Sequence, residues 1–227
     1  MQADGTVLRT CAKCGKVLPD AYQGEVCYDC MVHPHYFRKG YSCLMYGLHE
    51  RELMMDLKYN GKSHIATKMG EAMFDRMAGV IAAGVFDIDI VCPVPVSMDR
   101  MRKRGYNQSE LMARSFVKRW TAVARKNGDF AKAPVCDSRT LYRSKSTMML
   151  RSMNPAERAL AMDGAFAVSE ASRQKIQGRN VLLIDDIYTT GATADACSKA
   201  LLEGGAADVW LLTLTSGGNR KPNEADM

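Results

Sequence analysis

A chain of 227 residues can bury one good-sized core, or a core plus a small module. Its formal charge of +6 suits anionic ligands without by itself establishing nucleic-acid binding, and its composition excludes long disorder. No apolar run approaches the ~18 residues of a membrane span, and the N-terminus lacks the apolar stretch of a secretory signal. The expectation is therefore a cytoplasmic protein with no membrane insertion. Eight cysteines in that compartment point to metal or free thiols rather than disulfides.

Residues 1–45 hold Cys11, Cys14, Cys27, Cys30 and Cys43 among frequent turn residues. Cys11-Ala-Lys-Cys14 and Cys27-Tyr-Asp-Cys30 form a paired CxxC array. Each CxxC turn can present two thiolates to one ion. Two such turns make a closed four-thiolate site, which suits structural Zn2+ rather than catalytic metal. The ion would replace the core that so short a segment cannot supply. Lys13 and Lys16 can offset the excess thiolate charge. Redox dithiols, or His33 or His35 in place of one cysteine, are the competing readings. Cys43, Cys92, Cys136 and Cys197 are isolated and read as small buried hydrophobes. The sixteen methionines read as core filling.

Residues 48–58 are predicted helical, with Leu48, Leu53, Met54 and Leu57 facing roughly one way, and Tyr59-Asn60-Gly61-Lys62 as the stop. A second helix is predicted over 63–79 from Ile65, Met69, Met73 and Met77. His49 and His64 on these helices read as surface or packing residues. A strand follows over 88–96, stopped by Pro93 and Pro95. Residues 106–125 give a long amphipathic helix carrying Leu111, Met112, Phe116, Trp120 and Val123. The stretch 127–162 is polar, basic and weakly patterned, and 164–168 suggests a short strand.

The most informative stretch is 181–193. Val181 to Ile184 is continuously apolar, as in a buried parallel strand. Asp185 and Asp186 follow, then Thr189, Thr190, Gly191, Ala192 and Thr193, then a helix over 192–202 closed by Gly204-Gly205. Where a strand turns into a helix, backbone N–H groups and the positive dipole end favour phosphate. Gly191 allows close approach and the threonine hydroxyls add donors. The two carboxylates suit vicinal hydroxyls. Phosphate beside a diol describes ribose 5-phosphate, and the string resembles the phosphoribosyl pyrophosphate (PRPP) motif of type I phosphoribosyltransferases. It has neither a P-loop ending nor dinucleotide-fingerprint spacing. A last strand is predicted over 208–215, before a polar tail at 217–227.

Three further strings fit this reading: Leu57-Lys-Tyr-Asn-Gly-Lys62, Pro93-Val-Pro-Val96, and Arg104-Gly-Tyr-Asn-Gln-Ser-Glu-Leu-Met-Ala-Arg114. With the cysteine array in front, the chain resembles the ComF family from Cys11 to about Thr215. The resemblance implies an α/β fold of the type I phosphoribosyltransferase class, a mostly parallel sheet flanked by helices. It also implies a zinc module at 1–45, the phosphoribosyltransferase-like domain at 46–216 and a flexible tail at 217–227. A link to competence and DNA uptake follows from it. The usual Thr-x-x-Gln string is broken at Thr147-Met-Met-Leu150, and Ala161 stands where an Asn would fall. This departure predicts weakened or absent transferase activity.

Those implications assign roles. Asp185 and Asp186 hold the ribose hydroxyls and support Mg2+. Residues 189–193 hold the 5-phosphate. Pro95, Val96 and Ser97 approach pyrophosphate. Arg104, with Arg102, is a candidate countercharge, although a solvated basic helix start explains both as well. Lys58 is a weaker candidate. The basic segment 143–158, including Arg143, Lys145 and Arg151, is expected to close over anionic substrate. A nitrogen acceptor for phosphoribose transfer is one outcome. The other is a non-catalytic PRPP sensor or adaptor, contacting DNA or a competence protein through the zinc module and basic surface. The run Tyr36, Phe37, Arg38, Lys39, Tyr41 reads as module packing before a DNA face.

Overall fold

The computed structural model describes residues 9–45, 52, 55–57, 63–128, 130–144 and 164–217. The helix expected over 48–58, the string 58–62, the closing segment 145–158 with Lys145 and Arg151, and the tail at 218–227 lie wholly or mostly outside the described residues.

The strands are β1 (Lys39–Met45), β2 (Ile90–Pro93), β3 (Val135–Cys136), β4 (Leu141–Arg143), β5 (Phe166–Val168), β6 (Asn180–Tyr188) and β7 (Asp208–Ser216). Five of them form one parallel sheet in the order β1-β7-β6-β2-β3. The other two, β4 and β5, pair antiparallel beside it. The helices are α1 (Tyr28–Val32), α2 (Ser63–Ala82), α3 (Met98–Arg104), α4 (Gln108–Lys126), α5 (Glu170–Ile176) and α6 (Ala192–Glu203). This is the mostly parallel, helix-flanked sheet expected from the sequence.

The sheet has a core on each face, because alternate side chains of a strand point to opposite sides. Val181, Leu183, Val209 and Leu211 face one core with Cys197 and Leu201 of α6, Phe166 and Val168 of β5, and Cys11, Cys14, Cys27 and Phe37. Leu182, Ile184, Trp210 and Leu212 face the other, with Met73, Phe74 and Met77 of α2 and Met112, Phe116 and Trp120 of α4. The apolar run of β6 is continuous because helices or the cysteine segment cover both faces. Each large side chain buried this completely contributes about 1.5–3 kcal/mol. At Gly70 the two helices of the second core touch. A Cβ there would run into the Met112 carbonyl of α4, so only glycine permits this crossing.

Several boundaries differ from expectation for physical reasons. Pro93 and Pro95 lack N–H groups, so β2 is shorter than 88–96, although Val94 N still donates to Ile184 O at 2.9 Å. The strand at 181–184 runs on to Tyr188, which puts both aspartates within β6 rather than beyond it. The short strand near 164–168 pairs with β4 and stands apart from the main sheet. Residues 39–45, read with the cysteine-rich segment, are an edge strand whose Lys39 to Met45 pair with Trp210 to Ser216. The cysteine segment and the sheet are thus joined by backbone as well as by side chains.

Candidate functional site

The parallel sheet creates a crevice before any side chain is considered. From β2 the chain leaves through α4 on one face to reach β3. From β6 it leaves through α6 on the other face to reach β7. The adjacent strands β2 and β6 therefore feed connections that diverge, which is the switch point at which open α/β sheets bind ligands beyond the strand carboxyl ends. The segments at that point are Pro95, Val96 and Ser97 after β2, and Thr189, Thr190 and Gly191 after β6. Pro93 pairs with Ile184, so the two loops lie at the same end.

The acid pair sits at the end of β6 with unequal exposure. Asp185 is half-buried, whereas Asp186 is only 4% exposed. Asp185 Oδ1 accepts from Ser109 Oγ at 3.1 Å and from the Asp186 N–H at 2.8 Å. Asp186 Oδ2 accepts from Gln108 Nε2 at 2.9 Å. The first two residues of α4 thus bond the two carboxylates, and the positive end of that helix favours their charge.

The Arg104-Gly-Tyr-Asn-Gln-Ser string has a structural explanation in this geometry. Helix α3 opens at Ser97, whose Oγ accepts from Arg100 N at 3.3 Å, and closes at Gly105, which takes the left-handed φ of 78°. Asn107 caps α4 through Ser109 N at 3.0 Å and donates from Nδ2 to Val94 O at 3.0 Å. Tyr106 OH donates to Leu57 O at 2.8 Å. Arg104 donates to Gln108 Oε1 at 3.1 Å, so it reaches Asp186 through the glutamine. The string ties the turn after β2 to the acids of β6. Asn107, Gln108 and Ser109 were not among the expected site residues. The signal was present, since consecutive polar residues at the start of an amphipathic helix are capping chemistry.

The loop before α6 enters the helix through a left-handed glycine. Gly191 is the N-cap, with φ of 89° and no side-chain cap bond. Ala192 and Thr193 begin the helix, Thr190 is half-buried and Thr189 is exposed. The leading N–H groups of such a helix have no acceptor within the helix itself. Arg143 of β4 is half-buried, and burial followed by the charge of Arg100 lowers its pKa below the usual guanidinium value. Arg100 and Arg143 therefore share a cationic region.

The cysteine array converges as its spacing predicts. The Sγ atoms of Cys11, Cys14, Cys27 and Cys30 all lie within 4.8 Å of one another, with Cys14 and Cys27 at 3.6 Å. Zn–S bonds of ≈ 2.3 Å imply tetrahedral S···S spacings of about 3.8 Å, so the donor set fits such an ion. Cys11, Cys14 and Cys27 are buried, and Cys30 is half-buried. Hydrogen bonds from Cys14, then Cys27 and Cys30, hold Cys11 far below the usual thiol range. The first turn closes through Gly15, whose missing side chain lets Gly40 of β1 approach. The alternative with a histidine ligand is not what forms. His33 is exposed, and His35 faces Asp195 and Tyr188 instead. The lysines are also engaged elsewhere. Lys16 pairs with Asp29, and Lys13 Nζ donates to Phe37 O at 2.6 Å. The lone cysteines are packing groups, as expected. Burial pushes Cys43 up to about 12 and Cys136 up to about 11, and raises Cys92 and Cys197 as well.

The basic and aromatic run on the module packs partly on the sheet. Phe37 is fully buried, Tyr41 stacks on Trp210, Arg38 covers the Trp210 ring, and Lys39 covers Tyr41. Tyr36 is the exposed aromatic of the run. A separate cavity of about 570 Å3 opens at the opposite end of the sheet, before β2, β3 and β6. Four of its charges are paired as Lys175–Asp137 at 3.6 Å and Arg179–Asp89 at 3.0 Å, and it holds none of the expected site residues.

The curated relatives agree with the motifs. No protein-family model matches the chain. The DNA utilization protein YhgH of Escherichia coli (strain K12) is 26% identical over 208 residues, covering 90% of this chain and 84% of that protein. Competence protein ComFC of Bacillus subtilis (strain 168) is 26% identical over 211 residues, covering 90% of this chain and 76% of that protein. Competence protein F of Haemophilus influenzae is 28% identical over 121 residues, 53% of this chain and 47% of that protein. The resemblance to ComF proteins is borne out along most of the chain, and no helix of the described residues is long and apolar enough to cross a membrane. Among solved structures, the glutamine PRPP amidotransferase from B. subtilis covers 70% of this chain and 30% of its own, at 15% identity and a TM-score of 0.39. A hypoxanthine phosphoribosyltransferase from Staphylococcus aureus covers 71% of this chain and 68% of its own, at 14% identity and a TM-score of 0.37.

Proposed function

We propose that this protein binds PRPP or ribose 5-phosphate with Mg2+ in the cytoplasm, in a role connected with competence and DNA uptake. The observation that carries the reading is the juxtaposition at the β2/β6 switch point of the Asp185–Asp186 pair with a glycine-capped helix N-terminus. A cradle for phosphate next to acceptors for a diol matches phosphoribose better than an inorganic anion or a nucleobase.

In this reading Asp185 presents its carboxylate to the ribose hydroxyls and contributes to Mg2+ binding. Asp186, held by Gln108, fixes the neighbouring backbone and shares the negative field. Residues 189–193 bind the 5-phosphate through N–H groups and threonine hydroxyls. Pro95, Val96 and Ser97 border the pyrophosphate, and Arg104 orients Gln108 rather than contacting the leaving group. Transfer would break the anomeric C–O bond to pyrophosphate and form a C–N bond to an acceptor that loses a proton, through an oxocarbenium-like transition state. The chain's work is then placement, charge neutralisation and exclusion of water. The four cysteines would hold structural Zn2+, which organises the module and takes no part in the chemistry.

Calorimetry with ribose 5-phosphate and PRPP, with and without Mg2+, tests this reading. Saturable binding that Asp185→Ala weakens at least tenfold is the expected outcome. Absence of heat and of any protection by either ligand overturns it. The second reading is a non-catalytic sensor or adaptor for DNA or a competence protein. The names of the relatives favour it, whereas the burial of Phe37 and the packing of Tyr41 on Trp210 leave Tyr36 as the one exposed aromatic of the run for stacking single strands. Binding of PRPP without turnover across amines and nucleobases would select it.

A further inference from the structure

His35 belongs to the segment that follows the cysteine array, yet its ring lies against the phosphate loop. Its side chain is 1% exposed. Nδ1 is 2.8 Å from Asp195 Oδ2, in the first turn of α6. Nε2 is 3.3 Å from the Tyr188 hydroxyl, at the last residue of β6. Between those two residues lies Gly191, where a Cβ would sit 2.6 Å from the Tyr188 hydroxyl and 3.0 Å from His35 Cε1. One imidazole therefore bonds the last residue of β6 and the first turn of α6, and occupies the space that a side chain at Gly191 would need. The Tyr36 N–H adds a second bond, to Asp195 Oδ1 at 3.2 Å. The ring is itself clamped on the module side, stacked on buried Phe37 with centroids 4.8 Å apart. Lys13 of the first CxxC turn holds the Phe37 carbonyl, and Lys16, just beyond that turn, lies over the Tyr188 ring at 5.4 Å.

We propose that His35 is a positioning residue that couples the metal-binding module to the phosphate loop, so that Zn2+ at the four cysteines and phosphoribose at 189–193 strengthen each other's binding. The inference rests on the phosphoribose reading above. The physical basis is that α6 carries no side-chain cap at its N-cap, so the bonds from His35 and Tyr36 to Asp195 add, from outside, to the core packing of Ala194 and Cys197 in fixing the angle at which its N–H groups face a ligand. The module keeps this arrangement only while its cysteine turns are closed, since so short a segment holds together through its metal. Linkage then requires that each ligand raise the affinity of the other by the same factor.

The test measures zinc affinity of the full chain by chelator competition, with and without saturating ribose 5-phosphate. Wild type should hold Zn2+ more tightly with the sugar phosphate, by about 5- to 150-fold, the usual span of site–site coupling. Zinc removal should weaken ribose 5-phosphate by the same factor. His35→Ala, still fully zinc-loaded, should bind ribose 5-phosphate more weakly and show a coupling factor near one. His35→Gln, which retains one polar contact, should fall between. A wild-type zinc affinity indifferent to bound ribose 5-phosphate overturns the proposal. Should His35→Ala not fold, Asp195→Asn and the wild-type measurement decide the same question. Should wild type bind no phosphoribose at all, the functional reading fails, and the coupling is read from amide exchange at 189–195. Faster exchange on zinc removal in wild type supports it, and unchanged exchange overturns it.

Discussion

Gln108 Nε2 donates to Asp186 Oδ2 at 2.9 Å, joining the start of α4 to the end of β6 across 78 positions of sequence. Both residues are nearly inaccessible, at 4% exposure each. The acid pair is therefore divided. Asp185 is the more exposed of the two, and Asp186 is nearly inaccessible, with its Oδ2 bonded by Gln108. An aspartate that follows a buried strand is expected to be open to ligand, whereas Asp186 is 4% exposed, because β6 continues past Ile184 and Gln108 at the start of α4 covers the carboxylate.

Truncation should separate the two roles. Asp186→Ala leaves the Gln108 amide buried without its acceptor and should cost about 1–3 kcal/mol of stability. Gln108→Leu should cost a similar amount, because it removes a donor from a buried carboxylate. Asp185→Ala should leave the urea midpoint nearly unchanged and weaken ribose 5-phosphate. Urea melts and calorimetry on the three variants decide this. A stable Asp186→Ala protein would show that the buried contact contributes little.

Cys27→Ser should abolish zinc retention, changing metal content from one equivalent to none. The damage should not stop at residue 45. Cys11, Cys14, Cys27 and Phe37 share a core with Leu183, Leu211 and Leu201. Hydrogen exchange should rise first in α6 and the ends of β1 and β7, while α2 and α4 on the other face stay protected. Exchange that rises only before residue 39 would mean the module is an independent appendage.

Gly191→Ala tests the loop itself. Its φ of 89° costs an L-residue roughly 1–2 kcal/mol, and the new methyl meets the Tyr188 hydroxyl. Melting should drop by that amount or more, and ribose 5-phosphate affinity should fall much further than stability, since the cradle is distorted. Near-normal binding by a folded Gly191→Ala protein would show that phosphate sits elsewhere.

Much of this architecture was legible in the sequence because local chemistry forced it. Four apolar residues before two acids read as a parallel strand, and paired CxxC turns read as a thiolate site. What stayed hidden depends on pairs distant in sequence. Strand β1 has an irregular pattern, and Cys43 drew it into the cysteine cluster, so its pairing with β7 gave no local sign. His35 looked like a spare ligand beside the cysteines, because its partner Asp195 is 160 positions away. Arg104 reads as a countercharge by its sign, and its bond to Gln108 Oε1 has no sign in the sequence beyond the i,i+4 spacing.

The last prediction concerns alkaline pH. Cys43 lies on β1 and is 8% exposed, and burial raises its thiol from the usual 9.0 to about 12. Above pH ~9 the unfolded chain releases this proton while the folded chain keeps it, so the unfolded state binds fewer protons and stability falls as pH rises. The full contribution is present below the unfolded value and is lost progressively between about pH 9 and 12. The slope is about 1.4 kcal/mol per pH unit for one thiol. Burial also raises Cys92 and Cys197, which steepen the fall. Urea midpoints measured from pH 8 to 10.5 should decline, and Cys43→Ala should decline less steeply than wild type. Parallel curves for the two proteins would show that Cys43 is solvated enough to ionise in the fold.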